Sequence, residues 1–454
     1  MLHKYSFRFV MLLAAIAATV QGAWAQGGFV KVNGQQFSID GRPYYFIGAN
    51  YWYGGLLAGV KGKEGKERLN RELDELQKQG ITNLRVLVGA EGTSANDQQV
   101  PYILQPQKGK YDQNLLASLD YFIAAIGKRN IKAVLYLTNN WDWSGGMAQY
   151  LGWEGYGKPP VPGGVGYGAA GGGNYFQDYS AYVTRFYSCL PCQQDLDNHI
   201  KFILNHRNSV NRILYKNDPA IMAWELANEP RPMTNSSIDA YKNWINATAA
   251  YIKSIDKNHL VTTGSEGEMG TANSMDLFHQ THSSPDIDYL TIHIWPKNWG
   301  WFKDTTIAAS MGDIKKHTAD YIAEHAAVAQ QLNKPLVIEE FGLPRDQHSF
   351  LLSSTTQSRN EYYLFMFNQL EQSIRTGGPI CGVNFWGLGG YAHVDLNRHN
   401  WRKGDDFTSD PGQEEQGLNS VFFSDTSTWK IIRESVKKLP PNPSKGVLRD
   451  LKGK

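Results

Sequence analysis

The sequence predicts an α/β fold: a closed (β/α)8 (TIM) barrel with an N-terminal β-hairpin and an elaborated loop after strand 3. Three observations carry this prediction. Eight short apolar or β-branched runs recur along the 454 residues. Several are continuous rather than alternating, as strands covered on both faces require. Helical patterns lie between most of them, in units of about 30 to 50 residues, the repeat of parallel β/α units. Eight such units suffice to close a barrel, and single barrels often exceed the usual domain length.

The chain opens with Lys4 and Arg8, an apolar run Phe9–Val20 and Ala23-Trp24-Ala25. A positive start, a short apolar stretch and a small-x-small site read as a secretory signal over residues 1–25, too short for a confident membrane span. Removing it takes away two cations and no acids, so the formal net charge of +2 falls to 0. A neutral mature chain has no global basic field for nucleic acid or an anionic membrane. Secretion, extracellular or periplasmic, is expected, and so is a monomer.

Phe29–Val32 and Gln36–Ile39 flank Asn33-Gly34, a strong hairpin signal expected to plug the barrel bottom. The eight barrel strands are expected at Tyr44–Ala49, Asn83–Val88, Lys132–Thr138, Ala220–Leu226, Leu260–Thr263, Tyr289–Ile294, Pro335–Phe341 and Ile380–Trp386. Lys66–Gln79 carries apolar residues at Leu69, Leu73 and Leu76 and stops at Gly80, so it reads as a helix. Leu115–Arg129, Asp195–Tyr215, Ile238–Ser254, Asp313–Leu332 and Ser358–Arg375 read similarly. The interval Trp141–Asp178 is rich in Gly, Trp and Tyr and is expected to be a loop on the active-site face. One catalytic unit over 26–440 and a loose tail over 441–454 complete the organisation.

There are three cysteines. Cys189 and Cys192, in Cys-Leu-Pro-Cys, are expected to form a local disulfide. No second Cys/His pair stands near them for zinc, and Cys381, in an apolar strand, is expected to be a buried thiol.

Two of the strands end in carboxylates. Trp224-Glu225-Leu226-Ala227-Asn228-Glu229-Pro230-Arg231 closes one and Leu336-Val337-Ile338-Glu339-Glu340-Phe341-Gly342 another. Barrel strands deliver side chains to the active site at their C-terminal ends. Two carboxyls facing across one cleft are what glycoside hydrolysis needs: one protonates the leaving oxygen, and the other attacks the anomeric carbon or activates water. Salt-bridged structural glutamates are the alternative. The strand period puts Glu339 and Glu340 on opposite sides, so that only one points into the site. It puts Glu225 and Glu229 on the same side, away from Asn228. It does not choose between Glu225 and Glu229.

These motifs resemble glycoside hydrolase family 5, through Asn228-Glu229-Pro230 followed by Glu340-Phe341-Gly342. Met222–Arg231, Leu137-Thr138-Asn139-Asn140-Trp141 with Gly145-Gly146-Met147, and Phe385-Trp386-Gly387 are similar to the plant and fungal type of endo-β-1,4-mannanase. The resemblance spans roughly Phe29 to Trp386. It implies Glu229 as a protonated acid/base with a raised pKa and Glu340 as an ionised nucleophile. Arg85 would hold that nucleophile, His293 would hydrogen-bond near the pair, and Trp386 would form the floor on which a sugar stacks. Arg231 and Glu266 would contact the sugar on the leaving-group side, and Asn228 a hydroxyl. Trp141 and, more loosely, Trp52 are candidate subsite walls, as are Trp143 and Trp153. At Trp295 relatives often have Tyr; an indole can donate from its N–H but cannot accept.

The resemblance implies retaining hydrolysis of internal bonds in β-mannan, glucomannan or galactomannan, without metal or organic cofactor. The rivals are a β-glucanase of the same family and a non-catalytic barrel that captures glycans. Action at chain ends stays open, because the loop 141–178 could close one end of the cleft.

Overall fold

The computed structural model describes residues 28–93, 99–160, 174–303, 305–395, 397–441 and 443. The signal segment lies outside them, as do the middle of the 141–178 interval and nearly all of the tail.

A hairpin leads into the barrel. β1 (Val30–Asn33) and β2 (Gln36–Ile39) pair antiparallel from Val30↔Ile39 to Asn33↔Gln36, and the short β3 (Arg42–Pro43) joins β2. Val30, Phe37 and Ile39 pack on Tyr44, Phe46, Val134, Met222, Tyr289, Val337 and Cys381, residues at the start of the barrel strands. The hairpin therefore seals the N-terminal end, and Cys381 is a buried free thiol against it.

Eight parallel strands follow, each within two residues of the expected boundaries. They are β4 (Phe46–Asn50), β5 (Asn83–Leu87), β6 (Lys132–Tyr136), β7 (Ile221–Glu225), β8 (Leu260–Thr262), β9 (Leu290–Ile294), β10 (Leu336–Phe341) and β11 (Ile380–Phe385). All their residues are buried, the physical reason that the runs read as continuously apolar. The ladder runs β8-β7-β6-β5-β4-β11-β10-β9. Asp288 N–H to Val261 O at 2.8 Å and His293 N–H to Glu266 O at 3.0 Å bring its two edges together. A small sheet of β12 (Leu388–Gly390) and β13 (Val421–Phe422) follows the last barrel strand.

Helices form where expected at Lys63–Gln79, Gln113–Gly127, Ile238–Ile255, Met311–Leu332 and Gln357–Thr376. One expectation shifts: the helix placed at Asp195–Tyr215 occupies Leu190–Asn205, with Pro191 in its first turn. Proline belongs there because it forfeits no helical hydrogen bond in the first turn. Beyond Asn205 the chain turns back, with Asn208 Oδ1 accepting from the amides of Val210 and Asn211. Cys189 and Cys192 are disulfide-bonded at the head of this helix, with both residues buried. Among the described residues no helix is long and apolar enough to cross a membrane.

The loop after the third barrel strand is partly helical. Gly146–Trp153 and Tyr175–Val183 are helices, and of the residues between them 161–173 lie outside the described set. Trp153 packs edge-on against Tyr150, at 5.3 Å between ring centroids, and does not line the cleft.

Candidate active site

Three strand ends create the site, each by a different local device. After β7 the chain leaves the ladder, and Glu229 adopts φ +49°. A non-glycine residue there is strained by roughly 1–3 kcal/mol. The Glu229 amide donates to Gly264 O (3.0 Å), the Asn228 amide to Thr138 O (2.9 Å) and the Tyr241 hydroxyl to Pro230 O (3.1 Å), which hold the turn. Gly264 itself has φ +76°, and a Cβ there would lie 2.0 Å from Ala227 O and 2.2 Å from a Glu225 oxygen. Only glycine lets the two strand ends approach so closely.

At β10 the register against β9 slips. Ile338 pairs with Ile292, but Glu340, not Glu339, pairs with His293. The extra residue is a bulge, which re-aims side chains. The parity expectation is corrected in this respect: both Glu339 and Glu340 turn toward Arg85 and His293. Glu340 lines the cleft, whereas Glu339 is sealed beneath it. The same correction applies to Asn228, which lines the cleft beside Glu229 because the chain there is no longer strand.

The cleft has a volume of about 340 Å³. Glu229, Glu340, Asn228, Arg231, Glu266, Trp141, Trp295 and Trp386, all named from the sequence, line it. Trp143, also named from sequence, joins them. An oxygen of Glu229, an oxygen of Glu340 and a nitrogen of His293 lie within 4.8 Å of one another. His293 Nδ1 is 2.7 Å from Glu229 Oε1 and 3.4 Å from Glu340 Oε2. The Trp141 indole donates to the other Glu229 oxygen at 2.6 Å. Arg231 forks onto Glu266 (2.5 and 2.7 Å) and sits 5.1 Å over the Trp141 ring. Trp386 meets Trp295 edge-to-face at 5.7 Å.

Arg85 is fully buried and reaches no substrate. It forks onto Glu225 (2.9 and 2.6 Å), donates to Asn228 Oδ1 (2.8 Å) and Asn50 Oδ1 (3.1 Å), and hydrogen-bonds Glu340. His293 is likewise buried and contacts the two carboxyls. Trp52 is corrected outright. It is 2% exposed, packs on Trp143 and Phe407, and supports the wall from behind.

The proton distribution differs from the expected one. Burial pushes the Glu229 carboxyl up, but His293, Arg231 and the Trp141 indole outweigh it and bring it down to about 2. Burial would lower His293, yet Glu340, Glu229 and Glu339 raise it to about 10. Burial raises Glu340 to about 7 against the pull of His293 and Arg85. Across the 2.7 Å hydrogen bond the two groups thus favour each other's charged forms, a Glu229 carboxylate and a His293 imidazolium.

The site includes residues that sequence reasoning missed. Phe176, Met269, Asn298, Trp299, Pro411, Gln413 and Glu414 also line the cleft. Phe176 is 54% exposed beside Trp141, an apolar ring at the cleft mouth that its sequence neighbours do not announce.

This geometry has known counterparts. The family model described as GH family 5 beta-mannosidase-like matches residues 27–442. The chain belongs to glycoside hydrolase family 5. It is similar to mannan endo-1,4-beta-mannosidase 1 of Oryza sativa subsp. japonica, at 31% identity over 80% of this chain and 78% of that relative. Among solved structures, a family 5 mannosidase from Rhizomucor miehei superposes with a TM-score of 0.80 and 30% identity, covering 91% of this chain and 97% of its own. A variant of that fungal enzyme in complex with mannosyl-fructose matches at 31% identity and a TM-score of 0.80, over 90% and 97%. As a family 5 member the chain is a glycoside hydrolase.

Within this family 5 site, the Trp295 indole donates to Glu340 Oε2 at 3.1 Å. A donor to the charged form favours ionisation. Trp295→Phe is therefore expected to raise the Glu340 pKa and move the acid limb of the kcat/KM profile upward by roughly one pH unit. A pH–rate profile checks this; an unmoved acid limb would show that the indole does not tune the carboxyl.

Proposed function

We propose that the protein hydrolyses β-1,4-mannosidic bonds of mannan, glucomannan or galactomannan with retention, acting within the chain. One observation carries the reading. Glu229 and Glu340 face one cleft with oxygens within 4.8 Å, near the about 5–5.5 Å of retaining pairs and short of the about 6.5–9.5 Å of inverting ones. The name of the rice relative supports mannan over a β-glucan.

In this mechanism Glu340 attacks the anomeric carbon while Glu229 protonates the leaving oxygen. A covalent mannosyl-enzyme forms on Glu340. Water, deprotonated by Glu229, then releases the sugar with its β configuration. Trp386 stacks under the sugar at the point of cleavage, and Trp141, Arg231 and Glu266 hold the leaving portion. No step requires a metal or organic cofactor. The N-terminal Lys4–Ala25 pattern supports secretion.

A second reading, action at chain ends, is favoured by the segment Asp410–Gln416. Gln416 Nε2 clamps the carbonyls of Asp410 (2.9 Å), Pro411 (2.9 Å) and Glu414 (3.1 Å), so Pro411, Gln413 and Glu414 form a fixed wall of the cleft. The product profile on mannohexaose separates the two. Internal action predicts mixed shorter oligosaccharides at the earliest times. Mannose or mannobiose from one end only would overturn it, and faster turnover on carboxymethyl cellulose than on galactomannan would overturn the mannan assignment.

A further inference from the structure

Four glutamates crowd two basic groups beneath the cleft floor. Glu225, Glu229, Glu339 and Glu340 face Arg85 and His293. Arg85 is taken up by Glu225, Asn228, Asn50 and Glu340. Glu339 is left with an edge contact, 3.5 Å from Arg85 Nε, and neither of its side-chain oxygens has a hydrogen bond. It is fully buried, and an unsatisfied buried carboxylate is costly. His293 Nε2, 3.7 Å from Glu339 Oε2, is equally buried and equally without a hydrogen bond. The opposite nitrogen of that ring touches Glu229 at 2.7 Å. The imidazole thus stands between two carboxyls, one below the floor and one in the cleft.

We infer that Glu339 is a positioning residue for the acid/base: it keeps His293 protonated at Nε2, so that Nδ1 can pass a proton to Glu229 and take it back. The inference rests on the reading of Glu229 as acid/base and adds where its proton is kept. A histidine's second nitrogen is set by the partner of its first, and Nε2 has no hydrogen-bond partner among the described residues, with Glu339 Oε2 at 3.7 Å. The proton balance closes over one turnover. The Nδ1 proton moves to Glu229, and Glu229 gives it to the leaving oxygen. Water then adds to the anomeric carbon, releasing Glu340, and its proton passes to Glu229 and back to Nδ1. The charged groups facing His293 are Glu229 and Glu225 from the end of β7, Glu339 and Glu340 from β10, Arg85 from β5 and Glu266 from beyond β8. Glu339 alone of these touches the Nε2 side.

Glu339→Gln keeps the shape and removes the charge. The Glu229–His293 pair should then lose its proton more readily, so the basic limb of kcat/KM should move to lower pH by about one unit or more. Glu339→Asp should restore part of that shift. An unmoved basic limb in a folded Glu339→Gln enzyme would overturn the inference. A second measurement needs no Glu339 variant. Nitrogen-15 NMR of the wild-type enzyme, with His293 assigned by its loss in His293→Asn, should show Nε2 protonated throughout the active pH range. A bare Nε2 at neutral pH would overturn the inference. Failure of the underlying reading looks different: Glu229→Ala would retain full turnover on unactivated mannosides, whatever the His293 signal reports.

Discussion

Glu340→Ala is expected to lose roughly 10⁴- to 10⁶-fold in kcat on manno-oligosaccharides, as removal of a covalent nucleophile does elsewhere. The loss should be chemical rather than structural. Arg85 keeps its fork on Glu225 and its bonds to Asn228 and Asn50, so the buried cation stays paired. Trp386, Trp141 and Arg231 still line the cleft, and oligosaccharide binding should survive. Removing the side chain also opens room beneath the anomeric carbon. Azide should fill it and restore turnover of an activated β-mannoside, giving the α-mannosyl azide by a single inversion. Undiminished turnover in Glu340→Ala would remove Glu340 from the mechanism. A wild-type protein that binds mannan without turnover would support glycan capture instead.

Arg85→Met should show the largest loss of stability. It strands Glu225 and Glu339, both fully buried, and leaves Glu340, 3% exposed, without its guanidinium. Breaking a buried ion pair from one side costs roughly 3–5 kcal/mol. Denaturant unfolding should show that loss, and activity should fall with it because Glu340 then ionises only at higher pH. Arg85→Lys should fall between, since an ammonium cannot fork onto Glu225 while reaching Asn50 and Glu340. Wild-type stability in Arg85→Met would mean that the carboxyls simply take up protons and that the cluster is not held together by charge.

The contrast between these variants reflects what the sequence could reveal. The eight strands were legible because a strand buried on both faces must be apolar throughout, and Arg85 stands out as a charge inside one of them. The carboxylates at the ends of β7 and β10 were legible for the same reason. Their directions were not. A bulge at Glu339 and the left-handed turn at Glu229 overrode the two-residue period. Trp52 was misplaced because an aromatic near a strand end serves equally well as wall or as support. Phe176 arrives from a short helix and Glu414 from an irregular segment, and only the folded chain brings them to the cleft. The helix Met275–His282 leaves little sequence signal because it is short, two turns between β8 and β9. The charge coupling of Glu229 and His293 also required coordinates, since it depends on their lying 2.7 Å apart.

The central claim is that Glu340, and not its neighbour Glu339 or the strand-end Glu225, becomes covalently glycosylated. Trapping with a 2-deoxy-2-fluoro-β-mannosyl donor that carries a good leaving group, followed by peptide mass spectrometry, tests it directly. A single adduct on Glu340, with NMR showing the β-anomer as first product from natural substrate, is the predicted result. An adduct on Glu339 or Glu225, or an α-anomer formed first, would contradict it.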